Sequence, residues 1–385
     1  MVGPWRRRVN ARSADGASGP REHPHDDQQR KDDDGEPEQL ASRGEFHAPS
    51  SGHGLTPSQP KGTTARTAYD LKQVVRFERL FYYVAMRIEY REEPCSTALN
   101  RVTGMGFRWS LNPYMGCVHR CAFCYVRGFE RRADRPSDDR YGRSVRVKVN
   151  IVERLRHDLQ RRSWRRETVA IGAATDPYQP AEGRYRLTRD CIVALAEHRT
   201  PIDLITRGPL IVRDVDVLAH ASQRASVRVS VSIATLDPEL GPRLEPGVAP
   251  ARQRLRAIRV LSDAGIAAGV ALAPVLPGLT DHPRALADVL AAARDAGATH
   301  AWSNVLNLRP GTREHFLSVL AREWPEELQR YQRLYPANGS GYLSPADARP
   351  IEARLAAVKR GTPLGDRRRI QLVPPPEPEQ LRLLA

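Results

Sequence analysis

Three cysteines, Cys117, Cys121 and Cys124, stand within eight residues in a C-x3-C-x2-C arrangement, inside the run NPYMGCVHRCAFCY that starts at Asn112. Three thiolates on one short loop bind three irons of a cubane and leave the fourth without a protein ligand, whereas an electron-transfer cluster takes four cysteines. The open iron is then available to a substrate or cofactor. Gly116 lets the backbone turn tightly before the first cysteine, and Phe123 supplies an apolar wall between the second and third.

Zinc is the competing use of these thiols, with His119 or a remote histidine as fourth ligand. A structural zinc site shows a second ligand pair at knuckle spacing, and the sequence holds none. A zinc-stabilised nucleic-acid-binding module is thus the non-enzymatic alternative. Cys95 and Cys191 are isolated and read as ordinary buried or surface thiols. Five cysteines, three of them clustered, suit a reducing compartment better than a disulfide framework.

The elements that must position this loop alternate in type. Short β-branched runs at 107–111, 168–173, 202–206, 227–233, 267–275 and 301–306 are separated by helical stretches at 150–162, 188–198, 212–221, 251–264 and 284–296. Repeated βα units of this kind build a parallel sheet. Two of the helices end alike, at Ala264-Gly265 and Ala296-Gly297, as helix C-termini often do. Six units are too few for a closed eight-stranded barrel but enough for a partial (β/α)6 barrel of the TIM type, open at the side. Parallel sheets carry their chemistry at the C-terminal ends of the strands, and the cysteine loop follows the first strand.

Around this core, spanning 105–335, the composition changes. Residues 1–68 are rich in Gly, Pro, Ser, Asp and His and read as a disordered tail. Their 10 basic and 10 acidic residues cancel. Residues 69–104 form a lead-in whose stretch 71–85 has the spacing of an amphipathic helix, and Met86 is a candidate translation start. Residues 336–385, ending in a PPPEPE run, read as a peripheral tail.

The chain carries 60 Lys and Arg against 45 Asp and Glu, a net charge of +15, which favours polyanionic partners. Arginine-rich usage of a GC-rich genome accounts for part of it. Locally, residues 120–166 hold 15 basic and 6 acidic side chains, a difference of +9 beside the cysteine loop that can track phosphates. No stretch has the roughly 18 to 20 apolar residues of a membrane span, and no secretory leader opens the chain, so a cytoplasmic protein without a membrane partner is expected.

The cysteine run resembles the radical S-adenosylmethionine (SAM) superfamily, and within it a branch related to spore photoproduct lyase, an actinobacterial group of unassigned activity. The similarity spans roughly 91–334. It includes TDPYQPAEGRYRLT (175–188), LITRGPLIVRD (204–214), VSIATLDPELGPRLEPG (231–247) and VALAPVLPGLTD (270–281). The resemblance implies a [4Fe-4S] cluster on Cys117, Cys121 and Cys124, SAM chelated to the open iron, and a reductant such as flavodoxin or ferredoxin. An electron from the cluster would split SAM into methionine and a 5′-deoxyadenosyl radical, which removes a substrate hydrogen.

The resemblance also implies roles for residues at the strand ends. Thr175 and Asp176 would meet the methionyl ammonium, although Asp176 before Pro177 is also a turn cap. Arg207 would pair with the carboxylate, with a surface ion pair as its ordinary alternative. Ser232 resembles a ribose or carboxylate ligand, Pro274 in Ala273-Pro274-Val275 an adenine-facing edge, and Phe123 a cofactor wall. A strand serine can instead merely face a neighbour, and core packing accounts for Ala273-Pro274-Val275 almost as well. One departure concerns the substrate. Ala173 stands where the lyase carries its hydrogen-donating cysteine, and a methyl group cannot return a hydrogen atom to a thymine radical. Tyr178, Tyr185 and Cys191 are possible radical relays. Nucleic acid or a nucleotide is the expected substrate, with a protein or a small metabolite as the alternative.

Overall fold

A computed structural model describes residues 88–373. The strands are β1 (Glu89–Glu93), β2 (Leu99–Arg101), β3 (Trp109–Leu111), β4 (Tyr114–Met115), β5 (Ser144–Lys148), β6 (Val169–Ile171), β7 (Ile202–Thr206), β8 (Val227–Ser232), β9 (Ala267–Val275), β10 (His300–Val305) and β11 (Gly365–Asp366). Strands β3, β6, β7, β8, β9 and β10 lie side by side in that order, all parallel. These are the six strands of the expected partial barrel. The sheet is wider than expected, because β2 adds antiparallel to β3 and β11 adds parallel to β10. A separate sheet of three strands, β1-β5-β4, stands beside it. Its strands are two to five residues long, too short to betray themselves by alternation.

Helices cover the outside of the barrel. Ile151–Leu159, Leu187–Glu197, Ala251–Asp263 and Pro283–Asp295 fall within the expected stretches or shifted by one residue. The unit between β7 and β8 differs. Pro209 opens a 3-10 turn over Pro209–Asp214, and the α-helix starts only at Val215. Strand β8 reads VRVSVS, yet all six residues are buried, as befits a strand covered on both faces. One apolar core runs from Leu111 through Ile171, Leu204, Val229 and Val270 to Ala301.

The expected peripheral tail after 335 is corrected in part. Helix Pro345–Arg360 buries Ile351 and Leu355 in the core, and β11 pairs with His300 and Ala301. Arg367 then reaches the N-terminal end of the barrel, where Asp203 accepts from Arg228 at 2.8 Å and from Arg367 at 2.7 Å. Composition hid this because Pro345 sits at a helix start, where its missing N–H costs nothing. From Ile88 onward the lead-in contributes β1 and β2. The expected disordered tail at 1–68, the helix at 71–85, the start at Met86 and the PPPEPE run lie outside the described residues.

Candidate cluster and SAM site

The cysteine loop leaves the C-terminal end of β3 and is held by residues that follow two other strands, β6 and β8. Asn112 accepts from the amide of Ala174 at 2.8 Å, joining the loop to the end of β6. Gln179 accepts from the amide of Val118 at 3.2 Å and donates to the carbonyl of Gly116 at 3.1 Å. On the far side, the segment after β8 closes over the loop, with Ala122 N–H donating to Leu244 O at 2.9 Å and Gly247 N–H donating to His119 O at 3.0 Å. Gly142, at φ +80°, lies so close that a Cβ there would stand 2.3 Å from the carbonyl of Cys117. Cys117 and Cys121 are buried and Cys124 is half-buried. Burial pushes the Cys121 and Cys124 thiols above their usual range, so ligation must draw off their protons.

Below the loop lies Arg127, 1% exposed. It donates to the carbonyls of Ser137 and Asp138 at 2.8 and 2.7 Å and reaches those of Cys121 and Arg120 at 3.4 Å. Its guanidinium sits 4.5 Å from the centre of the Tyr141 ring. No carboxylate pairs with it among the described residues. A buried cation without a counter-charge is costly, and a cubane on three thiolates is net anionic. The loop therefore fits a [4Fe-4S] cluster in charge as well as in donor number.

Asp176 ties the strand ends together. One carboxylate oxygen accepts from the Thr206 hydroxyl at 2.6 Å and the Tyr178 amide at 2.9 Å, and the other accepts from the Arg207 amide at 2.6 Å. His119 Nδ1 stands 3.3 Å from that second oxygen, a charge contact without hydrogen-bond alignment. Burial alone would raise the Asp176 carboxyl, but His119 and these bonds hold it below the usual carboxylate range. Asp176 is thus the turn cap, and an anchor between β6 and β7. The Thr175 hydroxyl is also engaged, donating to Gly116 O at 2.7 Å and accepting from Gln179 at 2.9 Å.

Arg207 is no surface residue. Its Nε donates to Glu245 at 2.8 Å, one Nη donates to the Ala273 carbonyl at 2.6 Å, and its guanidinium lies 5.6 Å from the Phe123 ring centre. Glu245, 2% exposed, is shared with Arg254 at 2.9 Å. Arg254 in turn donates to the carbonyl of Ser232 at 2.7 Å. Phe123, Asp176, Arg207 and the Ala273-Pro274 edge therefore meet in one place, while buried Ser232 joins them only through Arg254. Sequence reasoning passed over Asn112, Arg127, Gln179, Glu245 and Arg254. Glu245 lay within a block quoted for its resemblance, yet nothing in its spacing marked it.

The relays fare differently. Tyr178 is buried, Tyr185 packs on Tyr90 and donates to Glu92, and Cys191 is fully buried in the core. Tyr125, directly after Cys124, is the tyrosine whose hydroxyl donates to the carbonyl of Ala173. The basic stretch 120–166 does not form one patch. Near the loop, Arg131 pairs with Glu314, Arg135 with Glu130 and Arg140 with Asp138. Arg161 to Arg166 instead flank Trp164, which packs on Trp109 at the N-terminal end of β3.

The residues from 111 to 290 match the Radical SAM superfamily model. An uncharacterised protein of Mycobacterium tuberculosis is 40% identical over 274 residues, 70% of this chain and 80% of that protein. The chain belongs to the radical SAM superfamily. Its cofactors are accordingly a [4Fe-4S] cluster and SAM, and family members take their electron from an external reductant. Membership also sets aside the zinc-stabilised module. An uncharacterised protein of Methanocaldococcus jannaschii is 25% identical over 196 residues, 51% of this chain and 71% of that protein. Among solved structures, spore photoproduct lyase with AdoMet and a dinucleoside spore photoproduct superposes with a TM-score of 0.56 at 15% identity, covering 72% of this chain and 80% of that one. This radical SAM protein thus shares the lyase's fold. Among its described residues no helix is long and apolar enough to cross a membrane.

Proposed function

We propose that this chain holds its cluster on Cys117, Cys121 and Cys124, cleaves SAM reductively, and takes a hydrogen atom from a nucleotide unit of a nucleic acid. The observation that carries the first part is the loop of three thiols packed over the unpaired cation of Arg127. When bound, the cluster and SAM supply the 5′-deoxyadenosyl radical; the protein binds, orients and excludes water. Arg207, steadied by Glu245, keeps one Nη for the carboxylate of SAM, and Phe123 and Pro274 wall the site. Asp176 and Thr175 keep their strand ends and the loop in register. The electron donor is a flavodoxin or ferredoxin.

The nucleotide reading is supported by the fold shared with a lyase whose structures hold a dinucleoside. Ala173 supports a hydrogen-transfer route other than thymine-dimer reversal. The pairing of Arg131, Arg135 and Arg140 with acids leaves few free cations by the loop, and it favours a second reading, a protein or a small metabolite as substrate.

Anaerobic reconstitution tests the class. A brown protein with about four irons per chain that forms 5′-deoxyadenosine from SAM is expected, and a colourless chain with one zinc overturns it. Nucleosides and metabolites of a deletion strain, compared with one carrying Cys124→Ala, decide the substrate. Altered nucleosides support the first reading, and altered metabolites with unchanged nucleosides support the second.

A further inference from the structure

At the end of the barrel opposite the cysteine loop, an arginine lies on or up to four residues before each of five neighbouring strands. Arg101 ends β2, where it pairs in register with Trp109, and Arg108 precedes Trp109 on β3. Arg165 follows Trp164, whose ring centre is 5.6 Å from that of Trp109 and whose Nε1 donates to Thr200 at 3.3 Å, just before β7. Arg199 precedes Thr200. Arg224, before β8, donates to the carbonyl of Ala196 at 3.0 Å. The spatial order β2, β3, β6, β7, β8 therefore gives Arg101, Arg108, Arg165, Arg199, Arg224. At strand spacing the row runs roughly 19 Å.

All but Arg199 are exposed. Among the described residues Arg101, Arg165 and Arg224 have no acid partner. Arg108 pairs with Glu167 yet stays 74% exposed, and the nearby acid Glu197 is paired with Arg156.

Arg199 is the second residue past its helix and adopts φ +51°, with its amide donating to the carbonyl of Ala196. The next two units place Gly265 and Gly297 at the same joint with the same bond pattern. A side chain in this conformation is strained, and glycine is its natural occupant. Arg199 thus occupies a joint that favours glycine, a conformation that Arg120, Arg166 and Arg186 also adopt.

We propose that this row is a docking surface for the phosphate backbone of a nucleic acid, distinct from the SAM site. A linear row of guanidinium groups matches a linear polyanion, since each strand of a duplex presents a phosphate every ~3.4 Å and the row would face about five or six of them.

The test uses the full chain and a fluorescein-labelled 20-nucleotide duplex and its single strand, read by anisotropy from 50 to 200 mM salt. Arg165→Glu with Arg224→Glu should weaken binding about tenfold or more and flatten the logarithmic salt slope by about two. Arg199→Gly, which keeps the joint's natural residue, should weaken it about threefold with unchanged circular dichroism. Arg322→Glu with Arg330→Glu, on the helical layer, should change affinity less than twofold. Absence of salt-dependent binding, equal loss in the control, or capture by vesicles containing phosphatidylserine instead of nucleic acid overturns the proposal. Iron content and SAM cleavage should be the same in all variants, so failure here is separable from failure of the proposed activity.

Discussion

The guanidinium of Arg127 lies over the ring of Tyr141, and the Tyr141 hydroxyl stands 3.6 Å from the sulfur of Cys124. A buried cation, an aromatic face and a thiol thus form one stack. Arg127→Met keeps the volume and removes the charge. Iron retained after reconstitution should fall well below that of the wild type, and the remaining cluster should be reduced at a lower potential, because a nearby cation favours the more negative state. Spectroelectrochemistry reads both. An unchanged iron content and potential would show that Arg127 serves only the backbone carbonyls.

The cysteines divide by environment. Cys117→Ala, Cys121→Ala and Cys124→Ala should each lose the visible cluster absorbance and 5′-deoxyadenosine formation. Cys95→Ala and Cys191→Ala should keep both, since Cys191 is buried in the apolar core and Cys95 belongs to the loop after β1. Iron analysis that made Cys95 or Cys191 essential would mean a fully protein-ligated cluster.

Arg207 has already spent its Nε on Glu245 and one Nη on Ala273. Arg207→Ala should therefore weaken SAM binding by about 1.5 kcal/mol, the low end for a hydrogen bond to a charged group, at unchanged iron content. Titration calorimetry measures it. Glu245→Ala leaves both Arg207 and Arg254 without their buried partner and should cost about 3 kcal/mol of folding stability, which urea unfolding reads.

His300 supplies a pH dependence remote from the cluster loop. Burial, with Arg228 and Arg367 nearby, lowers it to about 4 from an ordinary 6.5. The unfolded chain then binds the extra proton between these values, so stability is intact above about pH 6.5 and falls as pH drops towards 4. At pH 5 the loss from this group is about 2 kcal/mol. His300→Gln should flatten the slope of thermal stability between pH 7 and 5. An identical slope in the variant would assign the acid sensitivity elsewhere.

Much of the molecule is legible in the chain alone, because its signals are local. The three cysteines lie on one loop whatever the fold, and the apolar periodicities of the six core strands and most helices depend only on neighbours a few residues away. Even the end of each helix at Gly265 and Gly297 is written in a dipeptide. Other features needed the tertiary structure. The strands of the small sheet are too short for a pattern, and the Pro- and Gly-rich composition after 335 hides a C-terminal helix that opens with Pro345 and contains Pro350. Gln179 matters through Gly116, 63 residues away, and Glu245 through Arg207, 38 residues away, contacts that form only once the strand ends stand side by side. Charge was the most misleading signal. Arginines adjacent in sequence at 120–166 were sorted by the helix between them to opposite ends of the barrel, since a helix returning from the C-terminal end of one strand delivers the chain to the N-terminal end of the next.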